Sequence, residues 1–572
     1  MPLLHHVEWT PSLLGCLLSA CTRQRSMNVG CSIHAHIIKR RGWWSWDLYV
    51  HNHLLNLYVK CHKLEWAHRL FDIMPNKNTV SWTVLVSGYD QCKRSHTALH
   101  LFSLMLKDPA SPPNHFTFAS ALCACAKQEC LSLGMQLHSH VFQRGFLAHV
   151  MVSNVLISLY MACRQVVKAE VVFQEILKPD QVSWNSLVSG LSQNNLSHVA
   201  LDKFQMMRKS GLGATCFSLS AAIAACLDDE ADLKRLHGLA IKTNLNLDSY
   251  IGCAMIRMYS KFNSMENAME VFASLRLEDV ASWNSLIEGY AECDQKEKGL
   301  QVFAAFLESG LEPDDITITS VLGICANLVM LDYGRQIHSL SIKTGLKGRI
   351  RVENSIIHMY PKCGSIEDGI KFFNFMKQRS LVSWTAMMGG LAQHGRAEEV
   401  IQLFHEMNRE GLKPNKVTYT CVLSACNHAG LVDLGWSLFE SMEIEPDIDH
   451  FICIVHMLVG GGRFKEVEEF IQRSSAEHRN SLWLTFLVAC KNRGEWVQGA
   501  SVADKMMTVG LPSEPFVLVL FSNIFAAAGR WDEVSKLREE MQIKGLKKEP
   551  GCSWLEKEYF SVPEDESTAQ AS

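Results

Sequence analysis

Twenty cysteines and twenty-four histidines give this chain raw material for metal ligation or thiol chemistry, provided that their spacing converges. It does not. No two cysteines are three residues apart, so there is no CxxC to start a zinc or redox site. Cys21, Cys125, Cys226, Cys325 and Cys426 recur on apolar helical stripes, where a thiol behaves as a small buried hydrophobe. His34, His138, His237 and His338 recur at intervals of 104, 99 and 101 residues, too far apart along an elongated array to meet on one ion. His6-Val7-Glu8 matches the H-x-E fragment of zinc deaminases, in which metal-held water attacks and Glu moves the proton, but the P-C-x-x-C partner is missing. No Walker loop, Gly-x-Ser-x-Gly or HExxH occurs. We therefore expect no enzyme, no metal and no cofactor; the chemistry left is recognition through hydrogen bonds.

The elements that would position such groups are helical hairpins. In Val280 to Asp314, Trp283, Leu286, Ile287 and Tyr290 fall at i, i+3, i+4 and i+7. Gly299, Phe303 and Phe306/Leu307 repeat the stripe, Gly310 supplies a left-handed stop, and Pro313 keeps the helix from resuming. So small a helix pair cannot bury both faces and needs neighbours of its own kind. Ser-Trp returns at Trp82, Trp184, Trp283 and Trp384, at intervals of 102, 99 and 101 residues. Between these steps lie the cysteine and histidine positions above and a Leu/Met-Tyr step at Tyr58, Tyr160, Tyr259 and Tyr360. The unit is a triplet of hairpins, each in the length range of helix-turn-helix solenoids. The tryptophans are expected in the packing between helices rather than as base-stacking platforms.

Composition agrees with an array. The 572 residues exceed what one compact core holds, and 48% of them are hydrophobic. A formal charge of −4 gives no bulk basic field, so indiscriminate phosphate binding is disfavoured. Unpaired cysteine spacing fits a reducing compartment. No stretch is long and apolar enough to span a membrane; Phe516 to Leu520 comes nearest and is interrupted at Ser522 and Asn523. Residues 1–10 hold Glu8 and no Arg, unlike an organellar presequence, so no transit peptide is evident.

In order, the hairpins are expected to begin at Pro11, Leu48, Thr79, His115, Val150, Gln181, Cys216, Ser249, Val280, Asp315, Ile350, Leu381, Lys416 and Ile448, the last ending at Arg479. A short segment, 1–10, precedes this array of 11–479. Residues 480–556 remain helical but leave the triplet register, and the acidic, polar tail 557–572 is expected to be disordered.

The segments VSWNSLVSG, ASWNSLIEG, VSWTAMMGG, GRQIHSLSIKTG, VENSIIHMYPKCGSIEDG and TYTCVLSACNHAGLVDLG resemble the plant pentatricopeptide repeat family. The matching subclass rotates long, short and standard-length motifs. FSNIFAAAGRWDEVSKLREEM…GLKKEPGCSWLE is similar to the extension domain that follows the repeats in organellar RNA-editing factors, while the deaminase-like domain of some relatives is missing. The resemblance implies an all-α fold, a right-handed α-solenoid of stacked helix-turn-helix repeats with a helical C-terminal extension. It also implies one hairpin per nucleotide of single-stranded RNA. The fifth and last residues of a motif would hydrogen-bond one base, and the second would wedge between bases, here Val80, Val182, Ala281 and Val382.

Carried onto this chain, Asn154 with Asp180 and Asn284 with Asp314 resemble uridine pairs. Thr83 with Asn114 and Thr385 with Asn415 resemble adenosine pairs. Asn52 with Asn78 and Asn354 with Ser380 suggest a pyrimidine, cytidine more than uridine, and Thr420 with Asp447 suggests guanosine. Asn185 with Thr215, Cys253 with Asp279 and Ile452 with Arg479 match no strong pair. Gly15, Ala119, Ser220 and Thr319 sit at weak fifth positions of long motifs. The implied 5′ to 3′ target from the hairpin at Leu48 is Y-A-n-U-n-n-n-U-n-Y-A-G-n, with an edited cytidine four nucleotides beyond the last. An amide both donates and accepts, a carboxylate only accepts, and a hydroxyl does either, which is what can separate the bases. A lone Asn here would equally suit a helix cap. Lys343, Lys347, Arg349 and Arg351 fit either a phosphate stripe or a solvated face.

Expected, then, is a site-recognition factor for C-to-U editing of organellar RNA, mitochondrial or alternatively chloroplast. A cytidine deaminase of the kind found in such relatives (the DYW type) would be supplied in trans, together with other editing proteins, through the extension. RNA binding for splicing, transcript stabilisation or translation is the alternative. A protein-binding scaffold is a third reading.

Overall fold

A computed structural model of the chain describes residues 10–40, 47–227, 229–275, 279–293, 295–508 and 515–543. The H-x-E fragment, the Gly551-Cys552-Ser553-Trp554 segment and the tail lie outside these. Among the described residues there are thirty-two α-helices and no strand. They divide into two units, Met1–Pro313 with eighteen helices and Asp314–Ser572 with fourteen.

Each unit is a stack of helix pairs. In the first unit, first helices open behind side-chain caps from Thr10, Asp47, Asn78, Asn114, Asp180 and Asp248. First helices pack each along the next from Pro11–Gln24 to Val280–Glu292 in the first unit and from Asp315–Asn327 to Ala476–Arg493 in the second, and each second helix packs on its own first helix and leans on the one that follows in its unit. Within each unit the first helices thus form a row.

The repeated aromatic positions are core. Trp82, Trp184, Trp283 and Trp384 are buried, each edge-on to a phenylalanine from the preceding second helix: Phe71, Phe173, Phe272 and Phe373, with centroids 4.7–5.0 Å apart. The repeated histidine and tyrosine, separate signals in the sequence, meet each other. His138 Nδ1 lies 2.7 Å from Tyr160 Oη, His237 lies 3.0 Å from Tyr259, His338 lies 2.9 Å from Tyr360, and His34 pairs with Tyr58 in the same way. Each pair ties the second helix of one hairpin to the first helix of the next.

A recurrent glycine sets how closely the first helices approach. Gly88, Gly190, Gly289 and Gly390 face Val59, Met161, Ser260 and Pro361 of the preceding first helix. A Cβ on Gly88 would lie 2.6 Å from Val59 Cγ1, and one on Gly390 would lie 2.7 Å from Pro361 Cβ. Pro361 closes the last turn of Ile350–Lys362, and its ring cannot rotate away.

Two outcomes follow from this packing. Gly390→Ala is expected to destabilise the second unit by about 1–3 kcal/mol through overpacking, beyond the roughly 1 kcal/mol that Ala gains as a helix former; urea unfolding checks it. Burial holds His34, His138, His237 and His338 below their ordinary 6.5. The unfolded chain therefore binds protons that the folded chain refuses, so stability is full above that value and falls as pH drops below it. Tm should decline from about pH 7 to about pH 5, and His138→Phe should flatten part of that decline.

Candidate nucleic-acid interface

The last residue of a hairpin is the N-cap of the next first helix. Asn78 Oδ1 accepts the Ser81 N–H at 3.0 Å, Asn114 Oδ1 that of Thr117 at 3.0 Å, and Asp180 Oδ1 that of Ser183 at 2.8 Å. Thr215 does the same for Ser218 at 3.3 Å. In the second unit Asp314 caps through Thr317, Ser380 through Ser383 and Asn415 through Thr418. In all seven boxes the third helical residue is Ser or Thr and accepts the N–H of the capping residue in return.

The fifth residue lies one turn into the neighbouring first helix, and side-by-side packing brings it to that cap. Asn52 Nδ2 donates to Asn78 Oδ1 at 3.3 Å, Asn154 Nδ2 to Asp180 Oδ1 at 3.2 Å, and Asn354 Nδ2 to Ser380 Oγ at 3.4 Å. The capping-box hydroxyls join in: Ser81 Oγ donates to Asn52 Oδ1 at 2.7 Å and Ser383 Oγ to Asn354 Oδ1 at 2.6 Å. Thr83 reaches Asn114 through Thr117, its hydroxyl 2.7 Å from Thr117 Oγ1, which donates to Asn114 Oδ1 at 2.9 Å. Thr420 and Asp447 are linked through His450.

Two pairs are not joined. Asn185 accepts from Gln181 Nε2 at 3.4 Å and Thr385 donates to the Val382 carbonyl at 3.1 Å; among the described residues neither bonds its expected partner, Thr215 or Asn415. Asn284, buried on Val280–Glu292, and Asp314 belong to different units. Arg479 is not a hairpin end: the next helix begins at Ala476, so Arg479 lies inside it and donates to the Gln472 and Ser474 carbonyls. That helix starts four residues earlier than the repeat phasing expects.

Second positions break the rule that apolar side chains are buried. Val80, Val182 and Val382 are about half exposed, as are Tyr49, Phe116, Phe217, Tyr250 and Val417. Val80, Phe116 and Met151 border one groove of about 570 Å³, with Thr83, Ser87 and Asn114 between them and Lys127 at its edge. Val182, Phe217 and Tyr250 border another of about 780 Å³, containing Asn185 and edged by Arg257 and Lys261. Apolar flanks about polar side chains suit stacked bases, while Lys127 in the first groove is paired with Asp90 at 2.8 Å.

Lys127 and Lys261 end their first helices, a register that the sequence reading overlooked; a lysine thirteen residues after each cap was the available signal. Of the basic cluster singled out there, Lys343 ends a second helix, Lys347 and Arg349 lie in the connection, and Arg351 alone is at a second position. Asp180 pays for partial burial, but hydrogen bonds from Ser183, Asn154 and the Val182 amide outweigh it and hold its carboxyl below the usual range. It stays an acceptor. Burial pushes the thiols of Cys125, Cys226 and Cys325 up to about 12 and that of Cys426 to about 11, which leaves them protonated packing groups.

Comparison with known proteins finds matches along nearly the whole chain. The model described as PPR repeat matches residues 49–79, 80–109, 152–178, 182–212, 253–280 and 417–445, and the PPR repeat family model matches 278–327 and 379–428. The E motif model matches 493–556. A pentatricopeptide repeat-containing protein of Arabidopsis thaliana is 33% identical over 541 residues, covering 93% of this chain and 74% of the relative. Relatives from the same plant that match over similar lengths include one described as mitochondrial and one as chloroplastic. The crystal structure of the pentatricopeptide repeat protein PPR10 from maize shares the fold, with a TM-score of 0.53 and 16% identity over 94% of this chain and 85% of that one.

Because the last residues cap helices, their two duties separate on mutation. Asn415→Ala should cost about 1 kcal/mol of stability, whereas Asn415→Asp, which keeps the capping oxygen, should leave thermal unfolding within about 0.5 kcal/mol of the parent.

Proposed function

This chain belongs to the pentatricopeptide repeat family, and on that premise we propose that it binds single-stranded RNA, one nucleotide per hairpin, along the row of first helices. The observation that carries this is the pairing of fifth and capping residues. In each joined pair a side-chain oxygen of the capping residue serves the helix start, and what remains of its head group is the part we assign to the base. Asn78 keeps its Nδ2 hydrogens and Asp180 its Oδ2, and an amide and a carboxylate offer opposite polarity to a base edge. Exposed apolar second positions on either side supply the stacking surface that a flipped-out base requires.

The finer reading is a site-recognition role in C-to-U editing of organellar RNA, with the cytidine deaminase supplied in trans and docked on the region that carries the E motif. Relatives of both organellar descriptions support an organellar location, mitochondrial in our reading. The target read from the pairs is Y-A-n-U-n-n-n-U-n-Y-A-G-n.

Sequencing organellar cDNA from plants lacking the protein is expected to show loss of editing at one or a few cytidines preceded by these bases. Intact editing with altered splicing or transcript ends would refute the editing role. For the base assignment, Asn154→Thr with Asp180→Asn should turn a uridine preference at one nucleotide into adenosine, by about tenfold in relative Kd for one exchanged hydrogen-bond pattern. Anisotropy titration of RNAs differing at that base alone reads the change.

A further inference from the structure

The hydroxyl at the third helical position does not give its proton to the same partner in every hairpin. Ser81 Oγ donates to Asn52 Oδ1 at 2.7 Å, with Asn78 Oδ1 the more distant acceptor at 3.0 Å. Ser383 Oγ donates to Asn354 Oδ1 at 2.6 Å. In both cases the amide of the fifth residue is held from two sides, because its Nδ2 donates to the capping residue, Asn78 or Ser380.

Asn154 differs. Its Nδ2 donates to Asp180 Oδ1 at 3.2 Å, as in the other two pairs. Ser183 Oγ, however, donates to that same carboxylate oxygen at 2.8 Å rather than to the amide. A charged acceptor makes the stronger bond, so Asp180 takes the proton that a neutral Asn or Ser cap leaves to the fifth residue. Asn154 Oδ1 is consequently buried with no donor among the described residues, on a side chain only 6% exposed. A buried acceptor in that condition is unfavourable, and an N–H that reaches it relieves the penalty.

We infer that the hydroxyls of Ser81 and Ser383 set base preference, occupying the amide oxygen of the fifth residue and so separating cytidine from uridine. The inference rests on the RNA-reading role proposed above, and it names the group that makes Asn–Asn and Asn–Ser pairs read differently from Asn–Asp. Cytosine and uracil differ on their Watson–Crick edge at N3, an acceptor in cytosine and an N–H donor in uracil. With Oδ1 engaged, Asn52 and Asn354 have an Nδ2 hydrogen left to offer, which suits cytosine N3. At Asn154 the nitrogen side is held by Asp180 and the oxygen side is not. The amide can therefore tilt Oδ1 toward the groove and accept from uracil N3–H. Ser81 and Ser383 are positioning residues: they act through the amide they hold.

The test uses the full chain and pairs of synthetic RNAs carrying the proposed target sequence, differing only by C or U at one nucleotide. Under the hairpin that begins at Leu48, the parent should favour C. Ser81→Ala should change the ratio of the two Kd values by about tenfold toward U, the size of one exchanged hydrogen bond. Ser81→Thr keeps a hydroxyl, as Thr117 and Thr418 do in their own boxes, and should retain the preference for C. Ser383→Ala repeats the change in the second unit, under the hairpin that begins at Ile350. Ser183→Ala loses the same capping hydroxyl, and overall affinity and Tm should fall with it. Under the hairpin that begins at Val150, however, U should stay preferred. A purely structural role would move the alanine variants alike.

A ratio unmoved in Ser81→Ala and Ser383→Ala, a reversal in Ser183→Ala, or a Ser81→Thr variant that behaves as Ser81→Ala would overturn the inference. If Asn154→Thr with Asp180→Asn still exchanges the preference at its own nucleotide in that case, base reading survives and only the role of the hydroxyls is lost. A parent that does not separate C from U under any of these hairpins overturns both.

Discussion

Everything at the interface depends on one interaction, the capping of each first helix by the final side chain of the hairpin before it. A helix start leaves four N–H groups without partners, and a short polar side chain is the usual remedy. Where a pair is joined, the capping residue is also a contact point between consecutive first helices, because the fifth residue of the preceding helix bonds to it or to its capping-box partner. The same atom group therefore ends one hairpin, starts the next and fixes their offset. Asn, Asp, Ser and Thr all cap, and they differ only in what they leave facing outward. The fold is thus indifferent to a choice that a ligand can feel.

Around that junction the packing is arranged to keep the first helices close. A glycine in each standard-length motif lets the helix meet a side chain of its predecessor closely, the Trp–Phe contact fills the space behind, and the His–Tyr bond links successive hairpins one step earlier in the triplet. The tryptophans and their phenylalanine partners stay out of both grooves, whereas Gly190 and Met161 line the larger one. The work of all these groups is to hold the row of caps steady, and its cost is an array that acid loosens by charging the buried imidazoles.

Much of the fold could be read directly from residue types. The hairpin starts are visible because cap, apolar stripe and glycine stop recur together, and Trp283 and Phe303 are buried as their spacing requires. The site was less legible. Ser81 and Thr117 were overlooked although each stands three residues after a polar cap, because a capping box looks like a stability device until its hydroxyl is seen reaching the neighbouring first helix. Arg479 was misjudged for a physical reason: Ser475 and Arg479 are one helical turn apart, and only the hydrogen bonds show which of them precedes the helix.

By itself the sequence determined periodicity, and with it the helical hairpins, their order and the family they belong to, since a stripe of 3.6-residue period has no other way to hide from water. Tertiary structure alone decided which polar groups meet. The histidine and tyrosine repeats join across hairpins, Asn154 finds Asp180 while Asn185 turns to Gln181, and His450 comes to rest against a carboxylate. Such meetings depend on the separation and rotation of packed helices to within a fraction of an ångström, and hydrogen bonds, unlike hydrophobic burial, are lost when that is wrong.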